Sequence, residues 1–337
     1  MGTRSCPRLF QDGEVSADLV YHRVKVDNSM TTSQNQMTKC SGRTALITGT
    51  SSGFGLLTAV TLARRGWRVL ATMRDLGRRQ RLEEAARAAG VFDRIEFFAL
   101  DVTNAEQIAE LAASIAARTD ANKPAQLDAV VNNAGFAMAG FSEDVSDAEL
   151  RRQFETNFFG AAAVTRAFLP QLRRQGAGHI VMISSISGRL GFPGIGSYVA
   201  SKFALEGWAE SLRLEMKPLG IQVALVEPGS FMTDMWSRKT VRGSYLGIGH
   251  IFSTQTLDAN SPNAERVARW RKHIEERKPK ANPQIVADGI AAILDDPHPT
   301  LRHVFGRDAK MVLLLRRLLP WSALEHVLIK ASGIGES

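Results

Sequence analysis

The stretch Thr48-Gly49-Thr50-Ser51-Ser52-Gly53-Phe54-Gly55 decides the fold of this chain. It follows a short apolar run at 44–48 and precedes an amphipathic helical pattern that begins near residue 55. Glycines in such a stretch let the chain turn sharply and let backbone N–H groups approach an anion, and the helix N-terminus adds about half a positive charge. Between a first strand and a first helix, this turn predicts a site for the pyrophosphate of a dinucleotide.

Outward from this turn, the chain alternates short apolar runs with longer amphipathic stretches. The apolar runs predict strands at 44–48, 68–73, 95–100, 127–132, 179–184 and 222–227, with a short one at 301–305. The amphipathic stretches predict helices at 55–65, 82–89, 105–117, 147–174, 198–219 and 283–294. Continuous apolar strands between helices indicate a mostly parallel sheet covered on both faces. We therefore predict a doubly wound, Rossmann-type α/β fold.

The predicted domain organisation follows from where this alternation holds. Residues 42–306 are expected to form a single domain that binds the dinucleotide and carries the catalytic side chains. Residues 1–41 are polar, lack the apolar core of a secretory signal and indicate a flexible extension. After Glu227 the alternation stops, and the irregular segment 229–281 predicts a lid or binding loop. Residues 307–337 form a basic, apolar C-terminal tail.

Composition excludes several classes of function. The 337 residues include 42 lysines and arginines against 34 aspartates and glutamates, a net charge of +8. This charge is spread along the chain without an aromatic-rich basic block, so we expect no nucleic-acid binding. The apolar runs are far shorter than the ~20 residues that cross a bilayer. Both cysteines, Cys6 and Cys40, precede the first predicted strand, and no spacing of His, Cys or Glu indicates a metal; we expect a cytoplasmic protein without a metal site.

The end of the second predicted strand indicates which dinucleotide is bound. An acidic residue about 20 positions after the glycines would bind the ribose 2′-hydroxyl of NAD. Met73 and Arg74 stand there instead, and an arginine is a cation for a 2′-phosphate. Asp75 is the competing acidic residue, and its alternative role is to cap the next helix. The pattern favours NADP over NAD.

A tyrosine and a lysine open the predicted helix 198–219. Tyr198 and Lys202 are four residues apart, so they lie on one helical face. A free tyrosine has a pKa near 10, and an ammonium within ~4–6 Å favours the phenolate. We therefore expect Lys202 to lower the pKa of Tyr198. The phenol can then exchange a proton with a substrate hydroxyl or carbonyl as hydride moves.

Polar residues after other strands point to the same edge of the sheet. Ser185 follows the fifth strand, where a hydroxyl can stabilise a reacting oxygen, and Ser184 and Ser187 are alternatives for this role. The sequence Asn132-Asn133-Ala134-Gly135 follows the fourth strand. Asn157 lies in a predicted helix among aromatic residues. A mid-helix asparagine usually faces water, but these neighbours predict that it is buried for a functional reason.

Together these motifs resemble the short-chain dehydrogenase/reductase family over residues 43–294. The resemblance is carried by TGxxxGxG (48–55), Asp101 after the third strand, NNAG (132–135), Asn157, Ser185, YxxxK (Tyr198 and Lys202), and Pro228-Gly229 with Thr233. It implies that Tyr198 is the proton donor or acceptor and that Ser185 positions the substrate oxygen. It also implies that Lys202 lowers the tyrosine pKa and holds the nicotinamide ribose, while Asn157 anchors a water in a proton relay.

The cofactor contacts expected from these motifs surround the glycine-rich turn and the strand ends. They are Gly49, Ser51, Ser52, Gly53, Phe54, Gly55, Arg74, Asp101, Val102, Asn133, Ala134, Gly135, Tyr198, Lys202, Pro228, Gly229 and Thr233. A closer likeness is to the 17-beta-hydroxysteroid and retinol dehydrogenases, through ATMRDL (71–76), ASKFALEG (200–207) and PTLR (299–302). This likeness implies NADP as the cofactor, with Ser51 and Arg74 at its 2′-phosphate.

A pocket for a steroid or a long-chain carbonyl compound must be largely apolar. Six apolar residues follow cofactor or catalytic motifs and are candidates to line it: Phe136, Met138, Phe192, Phe231, Met232 and Trp236. Packing in the core or at a subunit interface is an equally good interpretation of each. The tail, with its apolar and basic run at 311–319, is of the kind that contacts an anionic membrane surface, or that packs on the domain or on a partner subunit.

The sequence thus predicts an NADP-dependent oxidoreductase that interconverts a hydrophobic alcohol and its ketone or aldehyde, of a steroid-like, retinoid-like or long-chain kind. Hydride passes between the nicotinamide and the substrate carbon while Tyr198 handles the proton. Two alternatives stay open: a 3-oxoacyl thioester reductase, whose acidic carrier would suit a basic chain, and a regulator that senses NADP without turnover. The resemblance also implies a homodimer or homotetramer through the helices that bear Asn157 and Tyr198.

Overall fold

The computed structural model describes residues 42–120, 123–124, 126–231, 250–252, 261–276 and 281–334, so the predicted extension 1–41 lies outside the described residues. Seven parallel strands form the central sheet: β1 (Thr44–Ile47), β2 (Arg68–Met73), β3 (Ile95–Ala99), β4 (Ala129–Asn132), β5 (Gly178–Ile183), β6 (Ile221–Pro228) and β7 (Arg302–Phe305). Every residue of β1, β4 and β6 is buried, as expected for strands covered on both faces.

Helices cover both faces of this sheet. The described ones are α1 (Gly53–Arg64), α2 (Gln80–Ala88), α3 (Ala105–Ala116), α4 (Asp147–Phe154), α5 (Ala161–Gln175), α6 (Gly196–Met216), α7 (Ala264–Glu276), α8 (Gln284–Asp295), α9 (Arg307–Leu318) and α10 (Trp321–Ser332). Leu62 of α1 shares one core cluster with Ile47, whereas Phe168 of α5 shares the other with Leu46. Because neighbouring strand residues point to opposite faces, the sheet has a core on each side, and the predicted doubly wound fold is confirmed.

The order of the strands positions the ligand site. Across the sheet it is β7-β6-β5-β4-β1-β2-β3, so β1 pairs with β2 on one side and with β4 on the other. The winding reverses between β1 and β4, and doubly wound sheets bind ligands beside the strands' carboxyl ends at such a reversal. The glycine-rich turn after β1 and the NNAG turn after β4 meet there.

The predicted helix 147–174 is divided in the structure. A π-helical turn, Glu155–Gly160, separates α4 from α5. Ser146 begins α4 with a capping box, in which its side chain and that of Glu149 each accept a hydrogen bond from the other's backbone N–H. The wider turn carries Asn157, and π-helical turns within α-helices are frequently found at functional sites.

The segment 229–281 contains regular structure that its irregular sequence does not predict. His250–Phe252 pairs in parallel with Ala137–Ala139, and α7 lies further along this segment. The tail is also more regular than predicted, because α9 and α10 meet at Pro320, which cannot continue a helix. Among the described helices, none combines the length and the apolar character needed to cross a bilayer.

Candidate active site

The glycine-rich turn packs against the turn after β4 too closely for side chains. Gly49 has φ +70°, in the left-handed region that favours glycine, and a Cβ on Gly55 would lie 2.4 Å from Asn133 Nδ2. Thr48 Oγ1 accepts hydrogen bonds from the backbone N–H groups of Asn133 (3.0 Å) and Ala134 (2.9 Å). The two turns are therefore held together as one rigid cradle. Thr48 belongs to the glycine motif, but its place in this cradle was not predicted.

The N-terminus of α1 is open to an anion. Ser52 precedes the helix without forming a side-chain cap, and the first turn contains no acidic residue. By contrast, Asn104 caps α3 and Ser146 caps α4, and both helices carry acidic residues in their first turn. The first N–H groups of α1 are thus left for a ligand, and the cradle fits the pyrophosphate of a dinucleotide.

Of the two charged residues that follow β2, Asp75 caps the next helix and Arg74 is exposed to solvent. Arg74 is exposed, and within the described residues no acidic side chain forms a salt bridge with it. Asp75 Oδ1 accepts a hydrogen bond of 2.8 Å from Gly77 N and caps the short helix Leu76–Arg78. Asp75 is therefore engaged with the backbone, and Arg74 is the charge that remains for a ligand.

The turn after β3 is stabilised by its own side chains. Asp101 Oδ1 accepts hydrogen bonds from Thr103 N (3.0 Å) and Thr103 Oγ1 (2.8 Å). Val102 is 6% exposed and lies so close to Gly160 that a Cβ there would be 2.8 Å from Val102 Cγ2. This packing positions the turn at the carboxyl edge of the sheet, where Asp101 and Val102 are expected to contact the cofactor.

Tyr198, Lys202 and Ser185 lie together, as their positions after the strands predict. Lys202 Nζ lies 5.7 Å from the centre of the Tyr198 ring and donates a hydrogen bond of 2.7 Å to the carbonyl of Ile183, at the end of β5. The Ser185 hydroxyl hydrogen-bonds the Tyr198 phenol. Tyr198 and Lys202 are each 5% exposed. A hydroxyl, a phenol and an ammonium are thus gathered in a site that excludes most water.

Burial sets the protonation of this group. It raises the pKa of the Tyr198 phenol to about 12, although the hydrogen bond with Ser185 lowers it. It also lowers the pKa of Lys202 to about 8. The predicted fall in the pKa of Tyr198 is therefore wrong for this structure, because the loss of hydration penalises the phenolate and Lys202 does not compensate. At neutral pH Tyr198 carries its proton.

Asn157 connects the catalytic helix to the segment after the NNAG turn. Its Nδ2 donates to Phe136 O (2.9 Å) and to Ser201 Oγ (3.1 Å), and its Oδ1 accepts from Phe136 N (3.1 Å). Ser201 Oγ in turn donates to the backbone carbonyl of Tyr198 at 2.7 Å. Asn157 is 1% exposed, so the predicted burial is confirmed. A Cβ on Gly135 would approach its Oδ1 to 3.1 Å, which explains the glycine at this position.

Gln153 is a positioning residue that the sequence analysis did not find. It is fully buried, donates to Phe136 O at 2.8 Å and accepts from Met138 N at 2.7 Å. Its place one turn before Asn157 was the only signal in the sequence. The two side chains together fix the backbone that follows the NNAG turn.

The alternative serines differ in their contacts. Ser187 N donates a hydrogen bond of 3.1 Å to Ser185 Oγ. Ser184 Oγ is buried and has no hydrogen-bond partner among the described residues. Of the three predicted candidates, Ser185 is the one whose hydroxyl meets Tyr198.

An apolar cluster surrounds Tyr198. Its buried members are Ala137, Ala139, Ile195, Tyr198 and Trp270, and the partly buried Phe192, Val199 and Ile334 pack against them. Trp270, on α7, was not predicted, although Val267 and Trp270 are spaced as an apolar face in an otherwise basic helix. A Cβ on Gly194 would lie 2.6 Å from the Trp270 ring, so this glycine lets the indole close over the cluster.

The predicted substrate residues are distributed over several places. Phe192 packs against the Tyr198 cluster, and Phe136 is half-buried with the Arg152 guanidinium 5.6 Å from its ring centre. Met138 has no exposed surface. Phe231 is 2% exposed and packs edge-on against Phe54, with ring centres 5.7 Å apart, in a core cluster beside α1. The structure does not bring Met138 or Phe231 to the Tyr198 cluster, and Met232, Thr233 and Trp236 lie outside the described residues.

A buried ion cluster lies behind the catalytic helix. Arg302 Nη1 donates to Glu227 Oε1 at 2.7 Å and also pairs with Glu206, one turn after Lys202 on α6. Arg189 pairs with Glu227 at 3.1 Å, and the Glu227 side chain is fully buried. Burial raises the pKa of Glu227, while Arg189 lowers it. The stretches 200–207 and 299–302 thus meet through this cluster, which joins α6, β6 and β7.

The turn that contains Pro228 and Gly229 is held by α9. Asp308 Oδ2 accepts a hydrogen bond of 2.7 Å from Ser230 N, and a Cβ on Gly229 would lie 2.4 Å from Asp308 Oδ1. Gly229 N also donates to Phe305 O at 2.8 Å. Asp308 was not predicted, because it lies in the tail and no local pattern connects it to this turn.

Comparison with known proteins identifies the family to which this site belongs. Residues 43–242 match the family model described as short chain dehydrogenase. The chain therefore belongs to the short-chain dehydrogenase family, and it is an NAD(P)-dependent oxidoreductase.

Three curated relatives cover most of the chain. The protein called "Uncharacterized oxidoreductase YusZ" of Bacillus subtilis is 41% identical over 293 residues, which span 85% of this chain and 97% of the relative. Human retinol dehydrogenase 8 is 42% identical over 270 residues, 77% of this chain and 80% of the relative. Human 17-beta-hydroxysteroid dehydrogenase type 1 is 34% identical over 280 residues, 81% of this chain and 80% of the relative. The predicted likeness to these dehydrogenases is confirmed.

Solved structures agree with this assignment. A short-chain dehydrogenase from Streptomyces avermitilis has a TM-score of 0.69 and 35% identity, over 86% of this chain and 96% of its own. A metagenomic short-chain oxidoreductase in complex with NADP has a TM-score of 0.58 and 25% identity, over 78% and 96%. A Burkholderia phymatum protein in complex with NAD shares the fold, with a TM-score of 0.66 and 24% identity over 88% and 98%. Structural relatives therefore bind NADP or NAD.

Proposed function

We propose that this chain is an NADP-dependent oxidoreductase that interconverts a hydrophobic alcohol, of a steroid-like, retinoid-like or long-chain kind, and its ketone or aldehyde. The observation that carries the proposal is the convergence of Ser185, Tyr198, Lys202 and Asn157 beside a glycine-rich cradle. A proton donor and an oxygen-binding hydroxyl at a nicotinamide site are the groups that carbonyl reduction needs.

In reduction, the chain supplies the proton and the cofactor supplies the electron pair. NADPH, when bound, is the source of a hydride for the carbonyl carbon. Tyr198 gives its proton to the carbonyl oxygen, so the C=O π bond breaks as C–H and O–H bonds form. Ser185 hydrogen-bonds that oxygen and stabilises its developing charge. A phenol with a pKa of about 12 is protonated at pH 7, which supports its role as the proton donor in reduction.

Lys202 and Asn157 support this proton transfer. Lys202 donates one hydrogen bond to Ile183 O, and its remaining N–H groups are available to a nicotinamide ribose. Asn157 fixes the start of the segment after the NNAG turn and, through Ser201, the carbonyl of Tyr198. A water held near Asn157 would complete the relay by which Tyr198 recovers its proton.

NADP is the proposed cofactor because of the charges after β2. Arg74 is an exposed cation beside the cradle, whereas Asp75 is engaged by Gly77. A 2′-phosphate would pair with Arg74 and with the hydroxyl of Ser51, and a 2′-hydroxyl would find no free carboxylate there. The NADP complex of the metagenomic relative supports the same choice.

The proposed substrates are hydrophobic because the surroundings of Tyr198 are apolar. Phe192, Trp270 and Ile334 all contact this cluster. Apolar walls with a few polar groups suit a steroid, a retinoid or a long-chain ketone or aldehyde. The names of two relatives, a retinol dehydrogenase and a 17-beta-hydroxysteroid dehydrogenase, support this class.

The proposed assembly is a homodimer or homotetramer in the cytoplasm, with peripheral contact between the tail and a lipid surface. Leu150 and Phe159 are 38% and 51% exposed near the π-turn, where they line a surface cavity of about 310 Å³. Phe203 of α6 is 41% exposed. Apolar side chains on the helices that bear Asn157 and Tyr198 support an interface there.

Purified protein tests the proposed function directly. Steroids, retinoids, long-chain ketones and aldehydes, and a 3-oxoacyl thioester are each incubated with NADPH or NADH, and the loss of absorbance of the reduced nicotinamide is followed. We expect turnover of free hydrophobic carbonyl compounds, faster with NADPH. A preference for the thioester would instead indicate a 3-oxoacyl thioester reductase. NADPH binding without turnover of any compound would favour a regulator that senses NADP.

A further inference from the structure

The outward side of α9 is apolar where a surface helix is normally polar. Met311, Leu314 and Leu318 are 58%, 50% and 67% exposed. Their spacing places them on one side of the helix, opposite Ala309, which is 1% exposed. Together these three side chains form the α9 apolar face. A surface helix of this length usually turns such residues toward the core, so this face is built to meet something other than water.

Cations accompany the α9 apolar face. Arg307, Lys310 and Arg317 are exposed on or beside this face, and none forms a salt bridge with another described residue. The single acidic residue of α9, Asp308, is engaged by Ser230 N. The exposed part of α9 therefore carries three positive charges on or beside the apolar face against the one negative charge of Asp308 in its first turn.

An aromatic residue extends the face at the corner between α9 and α10. Trp321 follows Pro320 and is 61% exposed. A tryptophan combines a large apolar ring with one N–H donor, and such residues are enriched where a protein meets the boundary between lipid tails and headgroups.

We propose that the α9 apolar face and its flanking cations bind the surface of an anionic lipid bilayer, with α9 lying in the plane of the interface. A short helix with exposed leucines on one side and basic residues beside them has the pattern of interfacial helices. A second copy of this chain is a poorer occupant. In a twofold contact the same patch meets itself, so six cations would be brought together. Anionic headgroups instead complement the charge, and lipid tails take the leucines.

The position of this surface connects it with the active site. α9 begins beside Asp308, which holds the turn of Gly229, and α10 ends near Ile334, which packs against the Tyr198 cluster. α10 has 12 residues, a length of about 18 Å. Bilayer contact through α9 would thus keep the catalytic cluster within about one helix length of the membrane. If the proposed function holds, its hydrophobic substrates would be dissolved there.

Vesicle sedimentation tests the proposal with the full chain. The wild type is mixed with phosphatidylcholine vesicles, with or without one third of phosphatidylglycerol, and bound protein is quantified. We expect binding to the anionic vesicles only. The double variant Leu314→Asp/Leu318→Asp should bind at least about tenfold more weakly. The matched control is Leu214→Asp/Ile285→Asp, which changes two apolar residues of α6 and α8 that are 75% and 54% exposed, and it should bind like the wild type.

The cations are tested by a second matched pair. Lys310→Glu/Arg317→Glu should lower the affinity for anionic vesicles by more than tenfold, since each basic residue near an anionic surface contributes roughly fivefold. Arg173→Glu/Arg174→Glu changes two adjacent exposed arginines at the end of α5 by the same charge and should bind like the wild type. Equal losses in both pairs would assign binding to net charge alone and overturn the α9 site.

Other outcomes also decide the question. Wild-type protein that binds neither vesicle, or both equally, contradicts the proposal. If Leu314→Asp/Leu318→Asp changes the oligomeric mass but not vesicle binding, the α9 apolar face contacts a second copy of this chain and the proposal is wrong. All variants are at exposed positions, and an unchanged melting temperature confirms their fold. Reduction of a water-soluble ketone with NADPH should be equal in all of them, so failure of the lipid site and failure of the proposed function are separately visible.

Discussion

Replacing the buried lysine of the site should stabilise the protein while abolishing its function. Lys202 is 5% exposed, and burial lowers its pKa from 10.5 to about 8. At pH 7 the folded chain therefore holds an ammonium in surroundings that disfavour its charge. Lys202→Met keeps most of the side-chain volume and removes that charge. We expect the free energy of unfolding to rise at neutral pH, because a functional group is retained here at a cost in stability.

The size of the expected gain in stability follows from the shift in the pKa of Lys202. A fall from 10.5 to about 8 is about 2.5 pKa units, or roughly 3 kcal/mol, at about 1.36 kcal/mol per unit. The variant leaves the carbonyl of Ile183 without its 2.7 Å donor, which costs about 1 kcal/mol. The net gain at pH 7 is therefore about 2 kcal/mol.

The stability advantage of Lys202→Met over the wild type should decrease as the pH rises. Below about pH 8 both the folded and the unfolded wild type hold the Lys202 proton, so the full penalty is present. Between about pH 8 and 10.5 the unfolded chain binds more protons than the folded chain, so wild-type stability rises with pH relative to the variant. Above pH 10.5 the advantage of Lys202→Met should be gone.

Urea denaturation followed by tryptophan fluorescence measures both effects. The experiment compares the wild type, Lys202→Met and the control Lys217→Met at pH 7 and at pH 10.5. Because Lys217 is exposed at the end of α6, the free energy of unfolding of its variant should stay within about 0.5 kcal/mol of the wild-type value. A Lys202→Met protein that is less stable than the wild type at pH 7, or that keeps the same advantage at both pH values, would refute the reasoning.

Three further variants test other parts of the structure. Arg302→Ala leaves the buried Glu206 without its arginine and Glu227 with Arg189 as its partner, and it should lower the free energy of unfolding by about 3 kcal/mol. Arg79→Ala breaks an exposed pair and should cost less than about 1 kcal/mol, so equal losses would contradict the buried cluster. Asn157→Ala removes the links to the Phe136 backbone and should cost about 1–3 kcal/mol in urea denaturation and lower kcat, so unchanged stability would deny those links. Arg74→Ala should weaken NADPH binding about 10- to 100-fold in fluorescence titration and leave NADH binding unchanged. An equal loss for both nucleotides would contradict the proposed contact between Arg74 and the 2′-phosphate.

The parts of the site that local patterns encode could be predicted from the sequence. The glycine-rich turn and Ser185 each follow an apolar strand, and all carboxyl ends of a parallel sheet lie on one edge, so their convergence follows from the alternation. Tyr198 and Lys202 are four residues apart on a helix, which fixes their neighbourhood. The roles of Arg74 and Asp75 could be distinguished because one is a cation and the other a residue that caps helices.

The parts that depend on tertiary contacts could not be predicted. The π-turn at Glu155–Gly160 is a change of hydrogen-bond register that the apolar pattern of 147–174 does not contain. Trp270 reaches Tyr198 from a distant helix, and Asp308 reaches the Gly229 turn from the tail. The pKa of Tyr198 was predicted in the wrong direction because spacing reveals its charged neighbour, whereas the loss of water around both groups is known only from the fold.

The most direct measurement on the proposed mechanism is the rate of Tyr198→Phe with NADPH and the best carbonyl substrate found in the panel. The variant lacks one hydroxyl and should fold and bind NADPH like the wild type, which nicotinamide fluorescence and melting temperature verify. If the phenol delivers the proton, kcat should fall by about 10²- to 10⁴-fold. A variant that reduces the substrate at the wild-type rate would contradict the mechanism.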